Sequence, residues 1–433
     1  MYVLGVPRPF KYVRVKTMEE ALEALEEGRP LAGGQSLIPM MRLGIPFDML
    51  VDINELDLDY VKREDGVYRI GALTRHNEIA SNLPLLRNVA ISIADLQVRN
   101  RGTVGGSLVN ADPSANYYPA LLVLDAEVKV LSKRGSRKIK VKDLYEDPYT
   151  TTLKEGELVT EVSFREPNSS KLYFKAIKRG GSAYPIAVLA VLKKKDGKLR
   201  ASIGGVFPRP IILEGNSKEE LIKALESVNE EPMSDHHMNG EGRLKLVREL
   251  INTFDQGDYE LRLVEERKIS WKTGEGMRVI DEAKIKVRVN GVLIEDRVEG
   301  RTLLVDFLRK NGFTEVKKGC DEGKCGACTV IINGVSVKSC LFLAVQAVNF
   351  DVRTVRGLDV EWLKNSFVNN YASQCGYCTH GFLMASYDYL KNVDPKAANE
   401  SLKYSIRNIC RCTGYVNIIR AIKEASRNEV QSG

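Results

Sequence analysis

The sequence predicts a multidomain chain of the α+β class. At 433 residues, 43% of them hydrophobic and 28% charged, it is long enough for several cores and ordinary in composition for a globular protein. A β-α-β-like opening leads into a mixed run of hairpins and capped helices, and then into a small sheet followed by a helical end. All eight cysteines lie beyond residue 319, behind a charged, turn-rich stretch at residues 265–276 without an apolar period, which reads as a linker.

The elements follow in order. Thr17-Met18-Glu19-Glu20 has the capping-box form, and Ala21, Leu22 and Leu25 give the helix behind it an apolar face. Leu31-Ala32 and Met49–Ile53 read as strands. Between them Gly33-Gly34-Gln35-Ser36 permits a tight turn and close approach to a ligand. A second glycine turn stands at residues 101–107, before Asn110-Ala111-Asp112-Pro113. Neither is a G-x-G-x-x-G fingerprint. Exposed amides of two such turns form anion nests suited to the two phosphates of a dinucleotide, with Asp112 accepting from ribose hydroxyls. Glu127–Leu131 and Lys138–Val141 read as a hairpin about Gly135. Lys171–Ile177, Pro185–Leu192 and Leu199–Ile203 read as strands, the last two joined through Asp196-Gly197. Ser217 caps another helix, and residues 231–242, with His236 and His237, read as a solvated polar loop.

Beyond the linker, Ala283–Val289 and Val292–Asp296 form a hairpin at Asn290-Gly291, and a second hairpin turns at Asn333-Gly334. Thr302–Lys310 reads as a helix ending at Asn311-Gly312. Helical stretches are expected at Glu361–Tyr371, Gly381–Lys391, Ala397–Ser405 and Ile418–Ser426. Met277 lies close to where two once-separate chains would have been joined.

Cys320, Cys325, Cys328 and Cys340 have the C-x4-C-x2-C spacing, with a distant fourth thiol, of a plant-type [2Fe-2S] site. Gly319, Gly323 and Gly326 let a loop wrap such a cluster and aim amides at its sulfurs. Cys375, Cys378, Cys410 and Cys412 form a second set, a CxxC and a CxC. Taken alone, that set also suits a four-thiolate zinc site, and its CxxC suits thiol exchange although no βαβ context surrounds it.

The net charge of +7 is spread among acids, with no long basic block and no nucleic-acid module. The absence of cysteine before residue 320 argues against a secreted disulfide framework. No stretch reaches the roughly 18 apolar residues of a membrane span, and the N-terminus lacks the apolar core of a signal peptide. These features place the chain in the cytoplasm.

The motifs carry a family resemblance. Residues 32–44 (AGGQSLIPMMRLG), 50–53 (LVDI), 71–76 (GALTRH) and 98–116 (VRNRGTVGGSLVNADPSAN) resemble, in order, the flavin-binding subunit of the xanthine dehydrogenase and carbon monoxide dehydrogenase family. Residues 319–330 (GCDEGKCGACTV), Cys340, residues 374–381 (QCGYCTHG) and 408–415 (NICRCTGY) resemble the small subunit of the same molybdenum hydroxylases, which carries two [2Fe-2S] clusters. The resemblance implies that Ala32, Gly33, Gly34, Gln35, Ser36, Leu37, Thr103, Gly105, Gly106 and Ser107 hold FAD, with Asp112 near its ribose. Lys178 and Tyr184, in KRGGSAY, would stand by its isoalloxazine ring. All eight cysteines would be cluster ligands, and Gln374 and Cys412 would face a partner. Ser107 stands where much of the family has Asn, and His380 where it usually has Pro, which is expected to loosen that turn. An acyl-CoA reductase branch, which carries another four-cysteine insert, is disfavoured.

The implied layout is a two-part, PCMH-like FAD-binding domain at 1–165, an α+β C-terminal subdomain at 166–264, a linker at 265–277, a plant-ferredoxin-like β-grasp at 278–355, and a small four-helix [2Fe-2S] bundle at 356–433. The implied function is electron transfer from a molybdopterin cofactor on a large partner subunit, through two [2Fe-2S] clusters, to FAD and an external acceptor. The catalytic residues would lie on that partner, in a dimer of heterodimers. A self-contained flavin and iron-sulfur reductase using a soluble carrier is the alternative.

Overall fold

The computed structural model describes residues 6–167, 170–180, 182–256, 269–397 and 399–431. The chain divides into two compact units, one of residues 1–56, 94–101 and 261–433, the other of 57–93 and 102–260. The expected flavin-type domain is thus split between them.

In the first unit, the strands Lys11–Arg14, Met49–Asp52 and Arg29–Leu31 run parallel, as a β-α-β opening requires. The helix Met18–Ala24 between two of them starts with the full Thr17–Glu20 capping box. A fourth strand, Met277–Val279, joins the edge of this sheet antiparallel to Lys11–Arg14. The expected linker is therefore a docked segment over its described part; residues 265–268 lie outside the described residues. Trp271 is buried against Phe342 and Phe350, and Glu55 accepts from the Thr273 and Gly274 amides at 2.6 and 3.0 Å. A single tryptophan docks this stretch without any repeating pattern.

A second sheet has the order Val292–Glu299, Glu282–Val289, Asp351–Arg353, Thr329–Ile332, Val335–Lys338. Its two hairpins turn at Asn290-Gly291 and Asn333-Gly334 with positive φ at all four residues, the condition that Asn-Gly meets most cheaply. The helix packed with it spans Leu304–Lys310, two residues shorter than expected at its start. One apolar core runs through both sheets, from Tyr12, Leu31 and Leu50 to Val287, Phe307, Val330 and Phe342. A buried network crosses the same boundary: Tyr12 Oη and Gln346 Nε2 donate to Asp52 Oδ2, at 2.5 and 3.1 Å.

The end of this unit carries the helices Glu361–Asn369, Thr379–Asn392, Asn399–Ser405 and Val416–Gln431, with their own core. The short helix Leu96–Arg99, capped by Asp95, also belongs here. Its polar side chains are buried: Gln97 donates to Asn408, Arg99 to the Tyr404 carbonyl and Asn100 to Asp388.

The second unit holds two sheets. One orders Val61–Glu64, Val67–Gly71, Leu158–Arg165, Glu127–Ser132 and Gly135–Lys140, with Val141 already in a helix. The other is the antiparallel meander Lys171–Lys178, Pro185–Lys193, Leu199–Gly204 and Ile211–Gly215. Against the meander pack Lys218–Glu226, capped by Ser217, and Gly240–Thr253, capped by Asn239. His236 and His237 are exposed.

Candidate functional site

The eight thiols sort into the two expected sets, each built of pairs. Cys320 is hydrogen-bonded to Cys325, and Cys328 to Cys340. In the second set Cys375 pairs with Cys412, and Cys378 with Cys410. Among the described residues no group of three or more His, Cys, Asp and Glu side chains is placed to hold a metal ion. Two thiolates at each iron is the arrangement a [2Fe-2S] cluster uses.

The loop around the first set is shaped for anionic sulfur. Cys320 Sγ accepts from the amides of Glu322, Lys324 and Cys325 at 3.4, 3.3 and 3.3 Å. The Cys325 thiol and these amides together draw the Cys320 pKa down to about 5, against the opposing effect of burial. A side chain at Gly319 would meet Cys325 Sγ at 2.8 Å; Gly326 has φ +72°, and a Cβ there would come within 2.6 Å of Asn408 Nδ2. Cys328 and Cys340 are buried.

The second set lies nearer the surface. Cys375 and Cys412 are exposed, whereas Cys410 is buried and accepts from Thr413 N and Oγ1 at 3.4 and 3.2 Å. Exposed Tyr371, Ile409, Tyr415 and Val416 belong to the same part of the chain.

Hydrogen bonds tie the sets together, and Tyr377 Oη donates to the Lys318 carbonyl at 2.5 Å. Ile409 N donates to the Cys325 carbonyl at 2.9 Å, Asn408 Nδ2 to that of Gly326 at 3.1 Å, and His380 Nε2 to that of Thr329 at 2.8 Å. Burial lowers the His380 pKa to about 4, so its ring is neutral at pH 7 and Nε2 carries the proton. The expected loosening at this position is therefore replaced by a tie: His380 lies in the first turn of the helix Thr379–Asn392, bonded by its ring to the strand behind Cys328.

The turn Ala32–Leu37 is in the first unit. Gly34 takes φ +73°, Asn54 Nδ2 donates to the Ala32 carbonyl at 2.9 Å, and Gln35 Nε2 donates to the Gly33 carbonyl at 2.8 Å. Gln35 Oε1 is buried without a partner, an open acceptor that fits a ligand hydroxyl or amide beside the turn. Leu37 opens the helix Leu37–Arg42, whose Arg42 reaches the first thiol set.

Thr103, Gly105, Gly106, Ser107 and Asp112 lie in the second unit, with Lys178 and Tyr184. Here the expected nest of free amides is corrected. Val104, Gly105 and Ser107 donate to the carbonyls of Thr74, Ala72 and Thr103, and Gly106 donates to Thr103 Oγ1. The turn is a helix N-terminus capped by Thr103, and it uses its amides internally. Asp112 is buried and accepts from Ser114 N at 2.8 Å and Tyr149 Oη at 3.3 Å. Lys178 pairs in register with Pro185, which leaves the exposed Tyr184 at the same end of the meander. Gly181, within the same motif, lies outside the described residues.

Sequence reasoning missed Arg42, Gln97 and the buried Lys338–Asp95 pair. The Asp95 cap before Leu96 was a readable local signal; the other contacts are long-range.

Thiols in two sets on amide-donating loops, with a glycine turn that leaves an open acceptor, suit a redox component of an oxidoreductase. Comparison with known proteins agrees. Residues 8–166 match the FAD binding domain in molybdopterin dehydrogenase, 287–350 a 2Fe-2S iron-sulfur cluster binding domain, and 354–423 a [2Fe-2S] binding domain. The chain is 36% identical to the glyceraldehyde dehydrogenase medium chain of Sulfolobus acidocaldarius, over 56% of this chain and 96% of that one. It is 44% identical to caffeine dehydrogenase subunit gamma of a Pseudomonas species, over 33% of this chain and 90% of that one. A solved Cu,Mo-CO dehydrogenase chain superposes with TM-score 0.54 at 27% identity, covering 58% of this chain and 98% of that one. The chain belongs to the molybdenum hydroxylase family of xanthine dehydrogenase and carbon monoxide dehydrogenase, and it unites an FAD-binding domain with two [2Fe-2S] domains. Among the described residues no helix is long and apolar enough to cross a membrane.

Proposed function

We propose that this chain is the electron-transfer subunit of a molybdenum-dependent hydroxylase or dehydrogenase. Electrons would enter from a molybdopterin cofactor on a large partner subunit, pass the cluster on Cys375, Cys378, Cys410 and Cys412, then that on Cys320, Cys325, Cys328 and Cys340, and leave through FAD to an external acceptor. One observation carries this order: two thiols of the second set are exposed, whereas the first set is more deeply placed and bonded to the helix that follows the Ala32–Leu37 turn. Exposed Tyr371, Ile409, Tyr415 and Val416 support a docking face for the partner, with Gln374 and Cys412 turned toward it.

FAD converts one-electron deliveries into two-electron reduction of an acceptor. The residues we assign to it are Ala32, Gly33, Gly34, Gln35, Ser36, Leu37, Thr103, Gly105, Gly106, Ser107, Asp112, Lys178 and Tyr184. The domain limits of the sequence reading, with a PCMH-like flavin part, a β-grasp and a helical bundle, remain our assignment, as do a cytoplasmic location and a dimer of heterodimers. The test is purification of the native complex through a tag on this chain. A large molybdenum-containing chain that co-purifies, and whose substrate bleaches the iron-sulfur absorbance, is expected. A chain that purifies alone and turns over fully with a soluble carrier would establish the self-contained reductase instead.

A further inference from the structure

A buried cation stands against the first thiol set. Arg42, the last residue of the helix Leu37–Arg42, has a side chain only 2% exposed. Its Nη2 lies 2.9 Å from Asp321 Oδ1, and its Nη1 donates to the Cys340 carbonyl at 3.4 Å. It therefore touches residues at both ends of the set, since Asp321 adjoins Cys320. Asp321 Oδ1 is itself buried although its side chain as a whole is 42% exposed, so a positive and a negative charge stand beside the set with little screening between them. A second buried cation, Lys338, donates to the Gly323 carbonyl at 2.7 Å and pairs at 2.5 Å with Asp95, both side chains 1% exposed.

We propose that Arg42, opposed by Asp321, sets the reduction potential of the cluster on Cys320, Cys325, Cys328 and Cys340. The inference rests on reading those thiols as [2Fe-2S] ligands. Reduction adds one electron to the cluster and breaks no bond; the guanidinium keeps its protons throughout. The reduced cluster has one more negative charge, so a fixed buried cation favours it and raises its potential. The helix bearing Arg42 begins at the Ala32–Leu37 turn, so the element that would hold the flavin also makes the neighbouring cluster the better acceptor. Electrons are thereby drawn away from the exposed second set.

The test is an EPR-monitored redox titration of both clusters in the full-length chain within its native complex. Arg42→Met is expected to make reduction of the first cluster about tenfold less favourable, or about 59 mV more negative for one electron. Arg42→Lys, which places a less well matched cation there, is expected to lie between wild type and Arg42→Met. Asp321→Asn shifts the same cluster the opposite way. Asp321 has φ 55°, which Asn tolerates. The second cluster keeps its potential in all three. A merely structural role would move Arg42→Met and Asp321→Asn in the same direction or neither, and either result overturns the proposal. If Arg42→Met takes up no iron, a missing positive shift in Asp321→Asn overturns it alone. Loss of both [2Fe-2S] signals from the wild-type chain would instead sink the cluster reading, and this inference with it.

Discussion

Replacing Trp271 by alanine removes a buried indole from the segment that joins the two sheets of the first unit. The side chain is 4% exposed. Its ring centroid lies 5.9 Å from that of Phe350 and 6.2 Å from that of Phe342, and the Arg101 guanidinium carbon sits 4.4 Å from it. Truncating a core Trp costs about 3–5 kcal/mol. Losing a desolvated cation–π contact adds about 1–2 kcal/mol, partly offset because Arg101 keeps its place 4.7 Å from the Phe342 ring. The expected loss is about 4 kcal/mol, and at about 2–4 °C per kcal/mol for a unit of this size the midpoint falls by about 8–16 °C. Scanning calorimetry is the assay, with separate transitions for the two units. The transition of the second unit should not move, and Trp271→Phe should recover about half of the loss. A drop below about 2 °C would mean that the indole is not packed, and the docked-segment description would fail with it.

Two further outcomes are expected. Cys375→Ser should halve the iron content and erase one [2Fe-2S] EPR signal while leaving the other, because the two sets share no thiol; loss of both signals would show that the sets are not independent. Burial raises the Asp112 pKa. A raised carboxylate favours the folded state below its unfolded pKa and opposes it as pH rises through the folded value. Asp112→Asn should therefore raise the melting temperature of the second unit at pH 7, with the gain shrinking as the pH falls toward the unfolded carboxylate range. It should also weaken flavin retention, measured by the flavin absorbance that survives gel filtration. A variant no more stable at pH 7 would contradict the cost assigned to this carboxylate.

Local chemistry was readable. The Asn-Gly turns at 290 and 333 and the caps at Thr17 and Ser217 each depend on neighbours a few residues away, and each occurs where the local pattern puts it. Long-range partnership was not. Nothing near Trp271 signals that it meets Phe342, and nothing in MMRLG signals that Arg42 reaches Cys340. The nest expected at Thr103–Ser107 failed in part for a related reason: free amides were inferred from glycine alone, but Ala72 and Thr74, some thirty residues away, accept from Gly105 and Val104, while Thr103 accepts from Gly106 and Ser107. Gly105 is needed there for close packing, since a Cβ would come within 2.7 Å of Ala72 Cβ.

The strand Met277–Val279 completes an edge of the sheet that begins at Lys11. In an assembly of separate chains, such pairing would be a bimolecular event, populated only above a dissociation constant. Within one polypeptide it is intramolecular. Dilution then cannot part the two halves of the first unit, and exchange between them follows first-order kinetics at any protein concentration.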